Sequence, residues 1–141
     1  MMKFDYSKIP FDEKSDLFGD FVLRPIIRIE VAFGEEKIPY LALIDSGADF
    51  SIFDAHIGEL VGIDVKSGIP VVFAGAEKSR GSLAYLHEVD VKVGTEKFKI
   101  KVAFSYNVAD NGHGLLGQRG FFEHFVVKFD YAKKEIELKS K

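Results

Sequence analysis

Apolar residues return at every second position through much of this chain, and that period sets the fold class. Ile27, Ile29, Val31 and Phe33 alternate with Arg28, Glu30 and Ala32, and Phe98, Ile100, Val102 and Phe104 alternate with Lys99 and Lys101. Extended backbone alone puts every second side chain on one face, so these are strands with one side buried. Turn residues separate them: Gly34 to Lys37 lead into a strand over 38–44, Gly94-Thr95 divide 83–93 from 98–104, and Tyr131 to Lys134 divide 125–129 from 135–138. Phe50 to Phe53 and Ile69 to Phe73 are two further strand candidates. Asp54 is placed to cap a helix from Ala55 to about Leu60, with Gly62 just past its end, and Gln118 to His124 is compatible with a second. The expected fold is all-β with one or two short helices. Residues 21–141 form a single domain; Met1 to Asp20, polar and aromatic without a clean period and punctuated by Pro10 and Gly19, read as an amino-terminal extension.

With 141 residues, the chain can hide roughly two thirds of its unfolded surface around one core. Its net charge of −3 and lack of a Lys/Arg run argue against nucleic acid and anionic lipid as partners. It contains 0 cysteines, which removes disulfides, thiolate catalysis and cysteine-bound metals. The first fourteen residues carry Lys3, Asp5, Lys8, Asp12, Glu13 and Lys14 and so hold no signal-peptide core. No apolar run approaches the ~20 residues that span a bilayer. A cytoplasmic, soluble protein is expected.

The most informative local segment is Ala42-Leu43-Ile44-Asp45-Ser46-Gly47-Ala48-Asp49. Two apolar residues followed by Asp, Ser or Thr, Gly, and Ala or Ser arise by chance on the order of once in several hundred chains of this length. A buried strand delivers one carboxylate into a tight turn, with a hydroxyl beside it and a glycine that lets backbone approach a reacting group. A turn Asp before Ser-Gly is common in isolation; its setting here points to chemistry. Two other patterns carry less weight. Gly112 to Gly117 matches a dinucleotide fingerprint letter by letter, but the residues after it read as strand where that site needs a helix, another strand and an acid ~20 residues on. His56, His87, His113 and His124 contain no pair at metal-ligand spacing on one recognisable helix.

The stretch from Leu23 to Phe53 resembles the first third of a retroviral-type aspartic protease, or retropepsin. Arg24-Pro25 followed by the alternating strand to Val31 resembles the strand before that family's catalytic turn. Asp45-Ser46-Gly47-Ala48-Asp49 resembles its Asp-Thr/Ser-Gly-Ala-Asp, and Leu115-Leu116-Gly117 its second signature, two apolar residues and a Gly opening a short helix behind the catalytic loop. The resemblance implies a single-domain, retropepsin-like acid protease barrel that acts as a homodimer. Asp45 is then the catalytic acid. Ser46 bonds across the dimer axis, Gly47 and Ala48 shape the loop, and Asp49 pairs with Arg24 of the other subunit. Ala74-Gly75-Ala76-Glu77-Lys78-Ser79-Arg80-Gly81 occupies the place of the flap, and the strand from Glu135 to Leu138 that of an intersubunit sheet strand. Two departures are visible: Glu77, Lys78 and Arg80 stand where retroviral flaps are apolar and glycine-rich, and Gln118 replaces the Arg or Asp that often follows the second signature.

Elementary chemistry leads to the same symmetry. A lone Asp, with a reference pKa near ~4, is a feeble base at neutral pH. Two carboxylates about 3 Å apart share one proton, and the pair can deprotonate a water while protonating a carbonyl oxygen. A chain carrying one such turn builds the pair only by meeting a second copy across a two-fold axis. The expected function is an aspartic endopeptidase acting on peptide or protein substrates, with no metal or cofactor. The alternative is a non-catalytic dimeric peptide-binding or assembly module with the same fold; a metal-dependent hydrolase using the histidines and Asp45 is a second rival.

Overall fold

In a computed structural model of the protein, residues 1–74, 81–108 and 112–141 are described. Among these residues twelve strands follow in chain order: β1 (Met2–Asp5), β2 (Ser7–Ser15), β3 (Gly19–Arg24), β4 (Ile26–Phe33), β5 (Glu36–Ile44), β6 (Ile52–Asp54), β7 (Ile69–Ala74), β8 (Gly81–Val93), β9 (Glu96–Ser105), β10 (Gly114–Leu116), β11 (Phe125–Asp130) and β12 (Glu135–Ser140). Helix α1 (Ala55–Leu60) and a single 3-10 turn over 65–67 complete the set. Seven strands make one sheet in the order β4-β5-β10-β6-β9-β8-β7, and a further pairing of β4 with β8 closes it into a barrel.

The two-residue period seen in the sequence decides which side chains fill that barrel. Along β4, Ile27, Ile29 and Val31 point into the main core while Arg28 is exposed. In β9, Val102 and Phe104 join the same core, whereas Ala103 between them packs with Ile52 and Ala84 on the other face, in a second, smaller cluster. Phe50, Val71, Phe73, Leu86 and Leu115 lean on that second cluster. α1 forms where the sequence places it, because the Asp54 carboxylate accepts the backbone N–H of His56 at 3.0 Å and so satisfies a donor of the first turn.

Two regions differ from the sequence reading. Residues 118–124 form turns rather than a helix: Gly120 has a φ of +94°, which ends right-handed helix, and the N–H of Arg119 is drawn away to the carbonyl of Asp49. The terminal segments also form more sheet than their composition suggests. β1 pairs with β12, which also pairs with β11, so that Phe4 faces Ile136 and Val127 faces Leu138. The carboxy-terminal strand from Glu135 therefore has both edges filled within the chain itself, which leaves it no free edge for the expected intersubunit sheet. β2 and β3 form a separate two-stranded hairpin. No helix among the described residues is long and apolar enough to cross a membrane.

Candidate active site

β5 ends at Ile44, whose N–H donates to the Pro25 carbonyl at 2.9 Å; the N–H of the next residue, Asp45, donates to Leu116 at 2.9 Å. β10 runs parallel to β5 at this point, with Leu115 opposite Leu43 and Leu116 opposite Ile44. The two sequence signatures are thus adjacent strands. Beyond Ile44 the chain turns sharply: Ala48 donates to the Asp45 carbonyl at 3.2 Å, and the Gly47 N–H donates to Asp45 Oδ1 at 2.9 Å. A charge-assisted bond of this kind orients the carboxylate. Asp45 is half-buried, with Ser46 and Gly47 exposed beside it, so the acid opens onto the surface of the chain.

The second signature then holds the turn from behind. Gln118 donates its N–H to the Ala48 carbonyl and its Nε2 to the Ser46 carbonyl, both at 2.8 Å. Arg119 donates to the Asp49 carbonyl at 3.0 Å, and Phe50 bridges to Arg119 in parallel fashion. Between the two loops lies Ser51, fully buried, whose Oγ donates to the Arg119 carbonyl at 3.0 Å and accepts the Gly117 N–H at 3.1 Å. Gly117 has no room for a side chain: a Cβ there would lie 2.5 Å from the Phe50 carbonyl oxygen and 2.7 Å from that of Ala48.

Sequence reasoning singled out Asp45, Ser46, Gly47, Ala48, Leu115, Leu116 and Gly117, and the structure brings all of them into this one knot of backbone. It missed Ser51, whose only signal is a lone hydroxyl in the apolar run Phe50-Ser51-Ile52-Phe53. It marked Gln118 as a departure without assigning the two bonds it makes. Arg24, at the end of β3, and Asp49 are both exposed, and among the described residues neither forms an ion pair within the protomer. Of the flap segment, Ala74 and Gly81 face each other as the last rungs of the β7–β8 hairpin, while Gly75, Ala76, Glu77, Lys78, Ser79 and Arg80 lie outside the described residues. Among the described residues no group of three or more His, Asp or Glu side chains converges as metal ligands do.

This barrel with its crossed loops defines a class. A retropepsin-like aspartic protease from Rickettsia conorii aligns with a TM-score of 0.57 at 21% identity, covering 79% of this chain and 88% of that one. EIAV protease, solved in complex with the inhibitor HBY-793, aligns with a TM-score of 0.52 at 16% identity, covering 67% of this chain and 82% of that one. The fold is retropepsin-like, and at these identities the likeness is one of fold. No protein-family model and no curated protein sequence matches the chain.

Proposed function

We propose that the protein is an aspartic endopeptidase that works as a homodimer, with the two Asp45 carboxylates sharing one proton across the axis. The observation that carries this reading is the setting of Asp45: a carboxylate at the end of a buried strand, oriented by the Gly47 N–H, half open to the surface, in a retropepsin-like barrel. One dyad oxygen takes a proton from a bound water while the other carboxyl gives its proton to the scissile carbonyl oxygen. The water oxygen bonds to the carbonyl carbon; the carboxyl that took the water's proton then passes it to the amide nitrogen, the C–N bond breaks and the amine leaves, while the diol's remaining proton returns to the other carboxylate. Ser46 reaches towards the opposite loop, and Asp49 of one subunit pairs with Arg24 of the other. The β7–β8 hairpin closes over an extended peptide, whose side chains alternate into pockets walled by Val72, Phe73 and Leu83.

Asp45→Asn tests the reading. It removes the shared proton but keeps the shape, so cleavage of a mixed peptide library falls about 10³-fold or more while the solution mass stays that of the parent. Unchanged cleavage overturns the dyad. A parent that dimerises yet cleaves nothing across the acidic to neutral range favours the non-catalytic binding module instead. An active parent has a bell-shaped pH profile, since a coupled pair works only in its singly protonated form.

A further inference from the structure

The β2–β3 hairpin stands apart from the barrel. Its reach is set by β3, whose six residues pair from Arg24 opposite Ser7 to Gly19 opposite Ser15 and span about 20 Å, the extra residues of β2 bulging between Pro10 and Ser15. The hairpin contributes nothing to the buried core, and its end carries Leu17 and Phe18 at 86% and 73% exposure. Ser15 Oγ accepts the N–H groups of both residues, at 3.2 and 3.1 Å, so the tip is a formed turn that presents these side chains. Around them stand Asp12, Glu13, Asp16 and Asp20, against Lys14. Two large apolar side chains on an acidic tip need a covering surface that is apolar within and basic at the rim.

The barrel has one. A groove of about 570 Å³ is floored by Phe50, Val71, Leu86 and Ile100, with Lys101 and Arg119 as its rim cations beside His124, Glu88 and Glu123, and with Lys99 paired to Asp90 at 3.3 Å. That volume is of the size that holds drug-like groups and accepts two large side chains. Its position matters as much as its lining, because Phe50 follows Asp49 directly and the Arg119 N–H is bonded to the Asp49 carbonyl. The hairpin, for its part, is rooted at Arg24, where Ser7 lies opposite.

We infer that the β2–β3 hairpin is an exchanged dimer arm, whose Leu17-Phe18 tip seats in the Phe50–Arg119 groove of a second copy of this chain. The inference rests on the homodimer reading above, in which Arg24 of one subunit meets Asp49 of the other. That contact brings the root of the arm to the Asp49 end of the partner's groove, and about 20 Å of hairpin lies along it, carrying the tip towards the end where Lys99 and Glu88 stand. The arm also supplies intersubunit contact that β12, paired on both edges, does not.

The test is the dimer dissociation constant of the full chain, from sedimentation against concentration. The double variant Leu17→Ser/Phe18→Ser changes only exposed tip side chains, so the protomer keeps its unfolding midpoint while the constant rises at least tenfold. Asp16→Lys/Asp20→Lys weakens the dimer as well, and adding Lys101→Glu to that variant recovers part of the loss. A parent that dimerises no more tightly than the Leu17→Ser/Phe18→Ser variant overturns the arm and leaves the Asp45 dyad standing. Tip variants that weaken the dimer without recovery by Lys101→Glu overturn this groove as the seat. A parent that stays monomeric at every concentration overturns the dyad and the arm together.

Discussion

The β2–β3 hairpin ends at Arg24 beside Pro25, whose carbonyl accepts the Ile44 N–H just before the Asp45 loop, and the two excursions are held in opposite ways. The loop is bonded along its length to segments about seventy residues distant: Asp45 to Leu116, Ser46 and Ala48 to Gln118, Asp49 to Arg119, with Ser51 bridging behind. The hairpin forms its own two-stranded sheet, buries no residue and is tied at its root, where Ser7 Oγ donates to the Ile26 carbonyl at 2.6 Å. On the proposed reading Asp45 reacts, and a reacting carboxylate must be held to within about half an ångström by its supporting shell. A surface that meets a second body needs exposed area and tolerates motion. The same chain therefore spends non-local hydrogen bonds on one excursion and exposed apolar side chains on the other.

The sharpest way to break this contrast is Gly117→Ala. The added methyl meets two backbone oxygens, at 2.5 and 2.7 Å, and neither can rotate aside. Overpacking against backbone at the crossing of the two loops costs about 3 kcal/mol, which lowers the unfolding midpoint by roughly 10 °C. One methyl in the loop thus does what two substitutions at the hairpin tip do not. Calorimetry reads both, and a Gly117→Ala midpoint equal to the parent's would show that the loops are not pinned together.

Ser51→Ala sharpens the same point with a smaller effect. Removing Oγ strips the buried Gly117 N–H of its acceptor, while the Arg119 carbonyl keeps the Ser51 N–H at 3.2 Å. One orphaned buried donor costs about 2 kcal/mol, seen as a lower urea midpoint with an unchanged slope. If the slope changes as well, the substitution has altered more than one bond, and Ser51 does not act as the simple bridge described.

Legibility from sequence divides along the same line of local against non-local. β4, β5 and β9 were readable because the two-residue period is written in their own residues, and α1 because Asp54 caps it from the adjacent position. The Asp45 turn is equally local. Ser51 was not readable, since its value lies in partners at Gly117 and Arg119 that no neighbouring residue announces. Nor was β1, whose Phe4 finds Ile136 at the far end of the chain. Residues 118–124 carry helix-compatible side chains, yet the N–H groups of Gln118 and Arg119 are claimed by the Asp45 loop and Gly120 adopts a left-handed conformation. Tertiary demand there overrides a weak local preference.

The smallest effect at neutral pH concerns the middle of the strand that delivers Asp45. Tyr40 in β5 is buried, and its hydroxyl accepts the Asp54 N–H at 3.0 Å, tying the strand to the cap of α1. Burial pushes this phenol up to about 12 from its ordinary value of 10.0. Between those values the unfolded chain has lost a proton that the folded chain keeps, so stability is full below pH 10 and drains away as pH rises towards 12. At about 1.4 kcal/mol for each pKa unit, the loss is on the order of 3 kcal/mol. Tyr106, held high by its hydrogen bond to Glu59, titrates in the same window but at the surface, so it serves as the internal comparison. Tyr40→Phe leaves the Asp54 N–H without its acceptor and costs about 1 kcal/mol at neutral pH. It also flattens the alkaline decline, whereas Tyr106→Phe leaves most of that decline in place. Denaturant titrations at pH 8, 10 and 11.5 separate the two. An alkaline slope that Tyr40→Phe leaves untouched would mean that the strand beneath Asp45 is open to solvent at Tyr40, and the rigid side of the contrast would lose its anchor.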